Sequence, residues 1–243
     1  MIEIEGLEKS YKAEKVLRGV TFTARPGRVT ALLGPNGAGK TTTLRILLGL
    51  EDADAGTALV DGRPYRELHE PLKSVGTLLD GPGAAGFRTP RTHLAWMAAS
   101  NGIPRARIDE VIGAVGLATA ANKRISGFSL GMGQRLGMAA ALLGDPQTVV
   151  LDEPTNGLDA EGVVWVRRLT RQLAAGGRCV LLTSHLLHEV REMADDLVVI
   201  AGGRIVRQGA LADLVGGGAD IEEAYFSWTR GLGRYEAREG GSQ

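Results

Sequence analysis

The chain of 243 residues holds one cysteine, Cys179, inside the apolar run CVLLTS. An intrachain disulfide is therefore excluded, the thiol reads as a small core residue, and a reducing compartment is the expected setting. No apolar run approaches the roughly 18 residues that a membrane-spanning helix requires, so direct membrane insertion is not expected. The opening MIEIEGLEKSYK alternates acids with apolar residues and lacks the form of a secretion signal. A charge excess is missing too. Lys+Arg and Asp+Glu both number 28, which offers no basic field for nucleic acid or an anionic lipid surface. His69, His93 and His188 have no metal-ligand spacing with a cysteine or an acid pair. Internal repeats are also absent.

What is present is glycine, 35 residues in 243, about twice the usual ~7%. Such a chain makes many tight turns or many close backbone approaches. Hydrophobic residues at 44% and charged residues at 23% are ordinary for a globular protein with a sizeable core. Ile2 and Ile4 alternate with acids, as in a half-buried edge strand. The run from Val16 to Ala24 alternates again. VTALLG from Val29 is nearly continuously apolar, the mark of a strand covered on both faces. A helix then runs to about Leu48, with Gly49 to end it. GTALVDG from Gly56 and SVGTLLD from Ser74 read as further strands.

From Thr89 to about Gly144 the pattern is helical. Thr89 followed by Pro90 is a strong helix start, and Ile108, Val111, Ile112 and Val115 share one helix face. Strands resume with TVVLDE from Thr148, RCVLLTS from Arg178 and DLVVIAGGRIVRQG from Asp196. The expectation is an α/β fold: a mainly parallel sheet, an antiparallel β region at the N-terminus, and a helical lobe at about 85–145 inserted in the core. One domain should occupy 1–230, with VGGGAD from Val215 as a flexible stretch and a flexible tail at 231–243.

Two segments carry chemistry. Gly34, Pro35, Asn36, Gly37, Ala38, Gly39, Lys40 and Thr41 match G-x-x-x-x-G-K-[ST] between a strand and a helix. In that context the glycines let backbone N–H groups wrap a phosphate chain, Lys40 supplies charge, and the Thr41 hydroxyl is placed for Mg²⁺. A plain strand-to-helix turn with a solvent lysine is the competing reading, and the context disfavours it. TVVLDEP then brings Asp152 and Glu153 to the carboxyl end of a strand, where α/β sheets bind ligands. Asp152 suits the metal, and Glu153 suits activation of a water. Without the phosphate loop, a surface acid pair before Pro154 would be the better reading. GFSLGMGQRLG from Gly127 is a second glycine-rich helix start of anion-binding form, but it carries no lysine. Taken alone, Ser129 there is an ordinary N-cap.

In this order the motifs resemble the nucleotide-binding subunits of ABC transporters, over nearly the whole chain. The resemblance makes the fold a P-loop NTPase and the function that of an ATPase working under a separately encoded integral membrane permease, at the cytoplasmic face of the membrane. It implies ATP and Mg²⁺ as cofactors and a head-to-tail homodimer with ATP. ATP would bind at Gly34 to Thr42 with Val16, with Tyr11 stacked on adenine. Ser129, Gly131 and Asp159 would reach the partner's ATP, which is why the second anion site needs no lysine. In the family's signature sequence Ser129 and Gly131 are retained, while Leu130 replaces a glycine and Met132 a glutamine. Glu153 and His185 would be catalytic, with Thr41, Asp152 and Asp80 at the metal. Asp80 stands where the family usually has glutamine. That departure, the FSLGM signature and the ending DIEEAYFSWTRG resemble the bacitracin- and daunorubicin-type drug exporters. A soluble ABC ATPase in translation or metal-cluster assembly is the alternative, although translation factors of that kind carry two cassettes and a strongly basic surface. A P-loop kinase would leave the signature helix and His185 unexplained.

Asp80 has two readings that separate in one variant. A carboxylate binds a hard cation more strongly than an amide, whereas aspartate and asparagine serve a turn equally well. With Asp80 at the metal, Asp80→Asn is expected to need more Mg²⁺ for its half-maximal ATPase rate. An unchanged Mg²⁺ titration would leave Asp80 the turn alone.

Overall fold

The acid-apolar alternation at the N-terminus forms β1 (Ile2–Tyr11) and β2 (Glu14–Ala24), and the apolar run that follows forms β3 (Val29–Leu33). The phosphate-loop segment leads from β3 into α1 (Lys40–Leu47), and β4 (Ala55–Val60) follows. This is a computed structural model, and it describes residues 1–79, 81, 83–216 and 221–230. Asp80, most of the VGGGAD stretch and the tail at 231–243 lie outside the described residues.

β1 pairs antiparallel with β2 and β4 in a three-stranded sheet of order β2-β1-β4. It is therefore the central strand, not the edge strand that its alternation suggests. Ile2 lies opposite Ala24 on one side and Val60 on the other. Alternating acids report that one face is solvated; they do not report whether both backbone edges are paired.

The larger sheet adds β5 (Val75–Leu78), β6 (Thr148–Leu151), β7 (Cys179–Ser184), β8 (Asp196–Ala201) and β9 (Arg204–Ala210). Its order is β5-β6-β7-β3-β8-β9, parallel throughout except for β9, which returns antiparallel to β8. Its central strands are apolar on both faces, and the period of two divides them between two cores. Ala31, Leu33, Val149, Leu151, Val180 and Leu182 face one core. Leu32, Val150, Leu181 and Val198 face the other, which they share with Ile2, Leu7, Val20 and Phe22 of the smaller sheet. That division is what the near-continuous apolar runs encode.

After the short helix α2 (Pro71–Ser74) and β5, three helices intervene before β6: α3 (Pro90–Ser100), α4 (Ala106–Ala114) and α5 (Leu130–Leu142). Thr89 caps α3 by accepting a hydrogen bond from the Thr92 N–H at 3.2 Å, and Pro90 occupies the first turn. Ile108, Val111, Ile112 and Val115 are buried together with Leu94 and Leu136, in the same core as the outer face of the large sheet. α5 lies directly on β5. A Cβ at Gly76 would stand 1.9 Å from the Ala141 carbonyl oxygen, so only glycine admits this approach. α6 (Ala160–Ala175) joins β6 to β7, and α7 (Leu187–Met193) joins β7 to β8. α8 (Leu211–Leu214) follows β9, and α9 (Ile221–Thr229) packs on α7 and β9.

Cys179 is buried, and its thiol lies 3.3 Å from the Ala24 carbonyl oxygen it donates to. Burial pushes the thiol up to about 11. Near pH 8 such a group is ~0.1% thiolate, against roughly 25% for a free thiol near 8.5. Iodoacetamide should therefore label the native protein about 100-fold more slowly than the unfolded chain. Equal labelling rates would show that the thiol is not held in this core.

Candidate nucleotide site at the carboxyl ends of the parallel strands

β3, β6 and β7 all end on one edge of the large sheet, and each delivers a piece of the site there. β3 delivers the phosphate loop. Gly39 is the N-cap of α1 at φ 107°, and a Cβ there would meet the Leu17 side chain at 2.5 Å. Glycine therefore lets the loop close over the helix start, with the first N–H groups of α1 left for an anion. Lys40 begins the helix and is almost wholly buried. Its Nζ donates to the Gly34 carbonyl oxygen at 2.8 Å and lies 3.5 Å from Glu153 Oε1. Thr41 Oγ1 donates to Asp152 Oδ2 at 2.8 Å.

β6 delivers the acids. Asp152 is locked between two hydroxyls, because Thr183 Oγ1, at the end of β7, donates to Asp152 Oδ1 at 2.5 Å. The same Thr183 oxygen accepts from the Glu153 N–H at 2.9 Å. Glu153 adopts φ 48°, a left-handed conformation that glutamate rarely takes. That turn places its carboxylate between two partners: Lys40 on Oε1, and His185 Nδ1 at 2.5 Å from Oε2. The Glu153 carbonyl oxygen accepts from the Asn156 N–H at 3.0 Å and from Gln134 Nε2 of α5 at 3.2 Å. The result is a preorganised set: a cation, a hydroxyl-carboxylate pair of hard oxygens, and a carboxylate beside an imidazole.

These groups line a cavity of about 890 Å³, within the range for small-molecule sites. Of the sequence-derived residues, Tyr11, Val16, Pro35, Asn36, Gly37, Gly39, Lys40, Thr41, Thr42, Asp152, Glu153 and His185 line it. Gly34 and Ala38 do not line it; a Cβ at Gly34 would stand 2.3 Å from the Ile200 carbonyl oxygen. Tyr11 is half exposed at the cavity mouth. Its hydroxyl bonds Glu51 Oε2, and burial together with that bond raises it above the usual phenol range. Glu51 in turn is held below the usual carboxylate range: burial opposes the shift, but the bonds from Tyr11 and Arg45 outweigh it.

Ser129, Gly131 and Asp159 do not line this cavity. Ser129 is the exposed N-cap of α5, accepting from the Met132 N–H at 3.2 Å. Asp159 is the exposed N-cap of α6, accepting from the Gly162 N–H at 2.8 Å. Sequence reasoning missed Leu130, Gln134 and Asn156, which also line the cavity, and Thr183, which orients both acids. Thr183 had a signal: a polar residue ending an otherwise apolar parallel strand faces the ligand edge. Gln134 stands four residues after Leu130, on the same helix face.

The sequence family described as ABC transporter matches residues 17–156. The lantibiotic transport ATP-binding protein SrtF of Streptococcus pyogenes is 34% identical over 206 residues, 85% of this chain and 89% of SrtF. The bacitracin transport ATP-binding protein BcrA of Bacillus licheniformis is 37% identical over 211 residues, 86% of this chain and 69% of BcrA. A solved ATP-binding subunit of an ABC transporter superposes with a TM-score of 0.85 at 27% identity, covering 94% of this chain and 99% of that one.

Lys40 is the buried cation at the loop, so its removal tests the site directly. Lys40→Ala should weaken the binding of a fluorescent ATP analogue by ~100-fold, the scale of a lost charge-assisted hydrogen bond. Unchanged affinity would place the nucleotide elsewhere.

Proposed function

The chain belongs to the ABC transporter family, and on that premise we propose that it is the ATPase subunit of an exporter of a drug, antibiotic or peptide. ATP binding and hydrolysis coupled to transport are the family's activity. The observation that carries the reading for this chain is the convergence of Lys40, the Thr41–Asp152 pair and the Glu153–His185 pair on one cavity. The names of the relatives, which include lantibiotic and bacitracin transport, support export over a soluble role.

The chain's own groups have separable tasks. The loop amides and Lys40 bind the phosphate chain. Thr41 Oγ1 and Asp152 are hard oxygen donors 2.8 Å apart and fit Mg²⁺, which takes few protein ligands when phosphates supply the rest. When bound, Mg²⁺ neutralises charge on the β- and γ-phosphates. Glu153 orients a water and accepts its proton. His185, bonded to Glu153 through Nδ1, keeps that carboxylate aimed, and its other ring nitrogen is free of that bond to serve a phosphate oxygen when nucleotide is bound.

Two features support the partners. Ser129, Gly131 and Asp159 are off their own cavity, as they would be if a second copy used them head to tail. Phe87 and Trp96 are 74% and 56% exposed at the start of the helical lobe. The Arg88 guanidinium lies 5.8 Å from the first ring and 4.8 Å from the second. An aromatic patch of this kind suits a permease surface, and the lobe at about 85–145 would carry its motion. No helix among the described residues is long and apolar enough to cross a membrane. As an ABC ATPase subunit the chain would work at the cytoplasmic face of the membrane, held there by its permease.

Glu153→Gln keeps the side chain's shape and loses its basicity. Hydrolysis should fall at least ~100-fold with ATP binding retained, and size-exclusion chromatography with ATP should show a dimer. A variant that turns over like the wild type would remove Glu153 from the catalytic role.

A further inference from the structure

α7 begins two residues after His185, with Leu186 as its N-cap, and its first turn carries Glu189, a carboxylate that is 4% exposed. Thr155, two residues after Glu153, is also buried and donates its hydroxyl to Glu189 Oε2 at 2.5 Å. Withdrawing a carboxylate from water is costly and is tolerated when a bond fixes its position. The segment that Thr155 anchors is short and already strained. Glu153 sits at φ 48°, and the Asn156 N–H closes the turn back on the Glu153 carbonyl at 3.0 Å. A displacement of Thr155 is therefore a displacement of Glu153.

The other end of the link is equally well fixed. The far end of α7 is tied to α6, where Arg171 Nε and Nη2 donate to the Glu192 carbonyl at 3.1 and 2.9 Å. Arg167 Nη1 donates to Glu192 Oε2 at 3.2 Å. α9 packs on the same helix. At its start, Ser184 Oγ accepts from the Leu186 N–H at 3.0 Å, across His185. α7 is thus a braced element, and the Thr155–Glu189 bond connects it to the catalytic turn.

We infer that Thr155 and Glu189 are positioning residues, whose buried hydrogen bond sets the separation of Glu153 and His185 so that one carboxylate oxygen rests on the imidazole. The inference rests on the roles of Glu153 and His185 given above. The bond acts on chemistry and not on nucleotide affinity, because neither residue lines the cavity. It requires a hydroxyl at 155 and an oxygen acceptor at 189, not a charge.

The test is steady-state ATPase kinetics of the full chain with nucleotide affinity measured in parallel. Thr155→Val removes the hydroxyl at nearly constant volume. Its kcat should fall about 10- to 100-fold, the scale of a small misplacement of a catalytic group, with ATP-analogue affinity within about twofold of wild type. Thr155→Ser and Glu189→Gln preserve the bond and should stay within about threefold of the wild-type kcat. Glu189→Leu should behave as Thr155→Val does. A Thr155→Val enzyme with wild-type kcat overturns the inference, as does a loss of kcat matched by an equal loss of affinity. Failure of Thr155→Ser to restore turnover also overturns it. Glu153→Gln run alongside separates the two levels. If it turns over like wild type, the catalytic reading itself fails; if it is inactive while Thr155→Val is normal, only the positioning inference fails.

Discussion

A single hydroxyl ties together two of the three strands on which the site depends, β6 and β7. Thr183 Oγ1 gives its proton to Asp152 and takes the N–H of Glu153, so β7 fixes one acid by its side chain and the next by its backbone. The parallel sheet around it is covered by apolar cores on both faces, so its polar groups gather at the carboxyl ends of the strands, where ligands bind. The left-handed turn at Glu153 follows from the same constraint. Asp152 must face Thr41, and the next residue must turn its carboxylate towards Lys40 and His185 in one step. The strain at Glu153 is held by bonds to its N–H and its carbonyl oxygen.

The electrostatics of the cavity are local. The chain as a whole carries equal numbers of basic and acidic residues, so its net charge supplies no overall attraction for an anionic ligand. One nearly buried lysine faces a pair of acids that are themselves tied to hydroxyls and an imidazole. Recognition of a phosphate chain at this cavity would depend on short-range donors in fixed places, the regime in which preorganisation counts most.

Much of this was legible in the residues. The phosphate loop, Asp152 and Glu153 announce themselves because their spacing must suit a strand end and a helix start, both of which are local. The β-strands of the large sheet were legible because burial on both faces leaves runs such as VTALLG and CVLLTS. What depends on the third dimension was not legible. The central place of β1 needed two partners distant in sequence. Gln134 reaches Glu153 across a separation of 19 residues, and Thr155 reaches Glu189 across 34. Neither pairing has a local pattern. The helix start at Ser129 reads in the sequence as an anion-binding form; only the fold shows that Leu130 and Gln134 of that helix line the chain's own cavity while Ser129 and Gly131 do not.

The division of the large sheet between two cores has a consequence for how the protein comes apart. Ala31 and Leu32, Val149 and Val150, and Leu181 and Leu182 are chain neighbours that face opposite cores. Neither core can be opened without disturbing strands that the other needs. The three helices inserted before β6 bury their apolar residues in the same core as one of those faces. With the two cores sharing strands in this way, amide exchange at the central strands is expected to report global unfolding and not local opening.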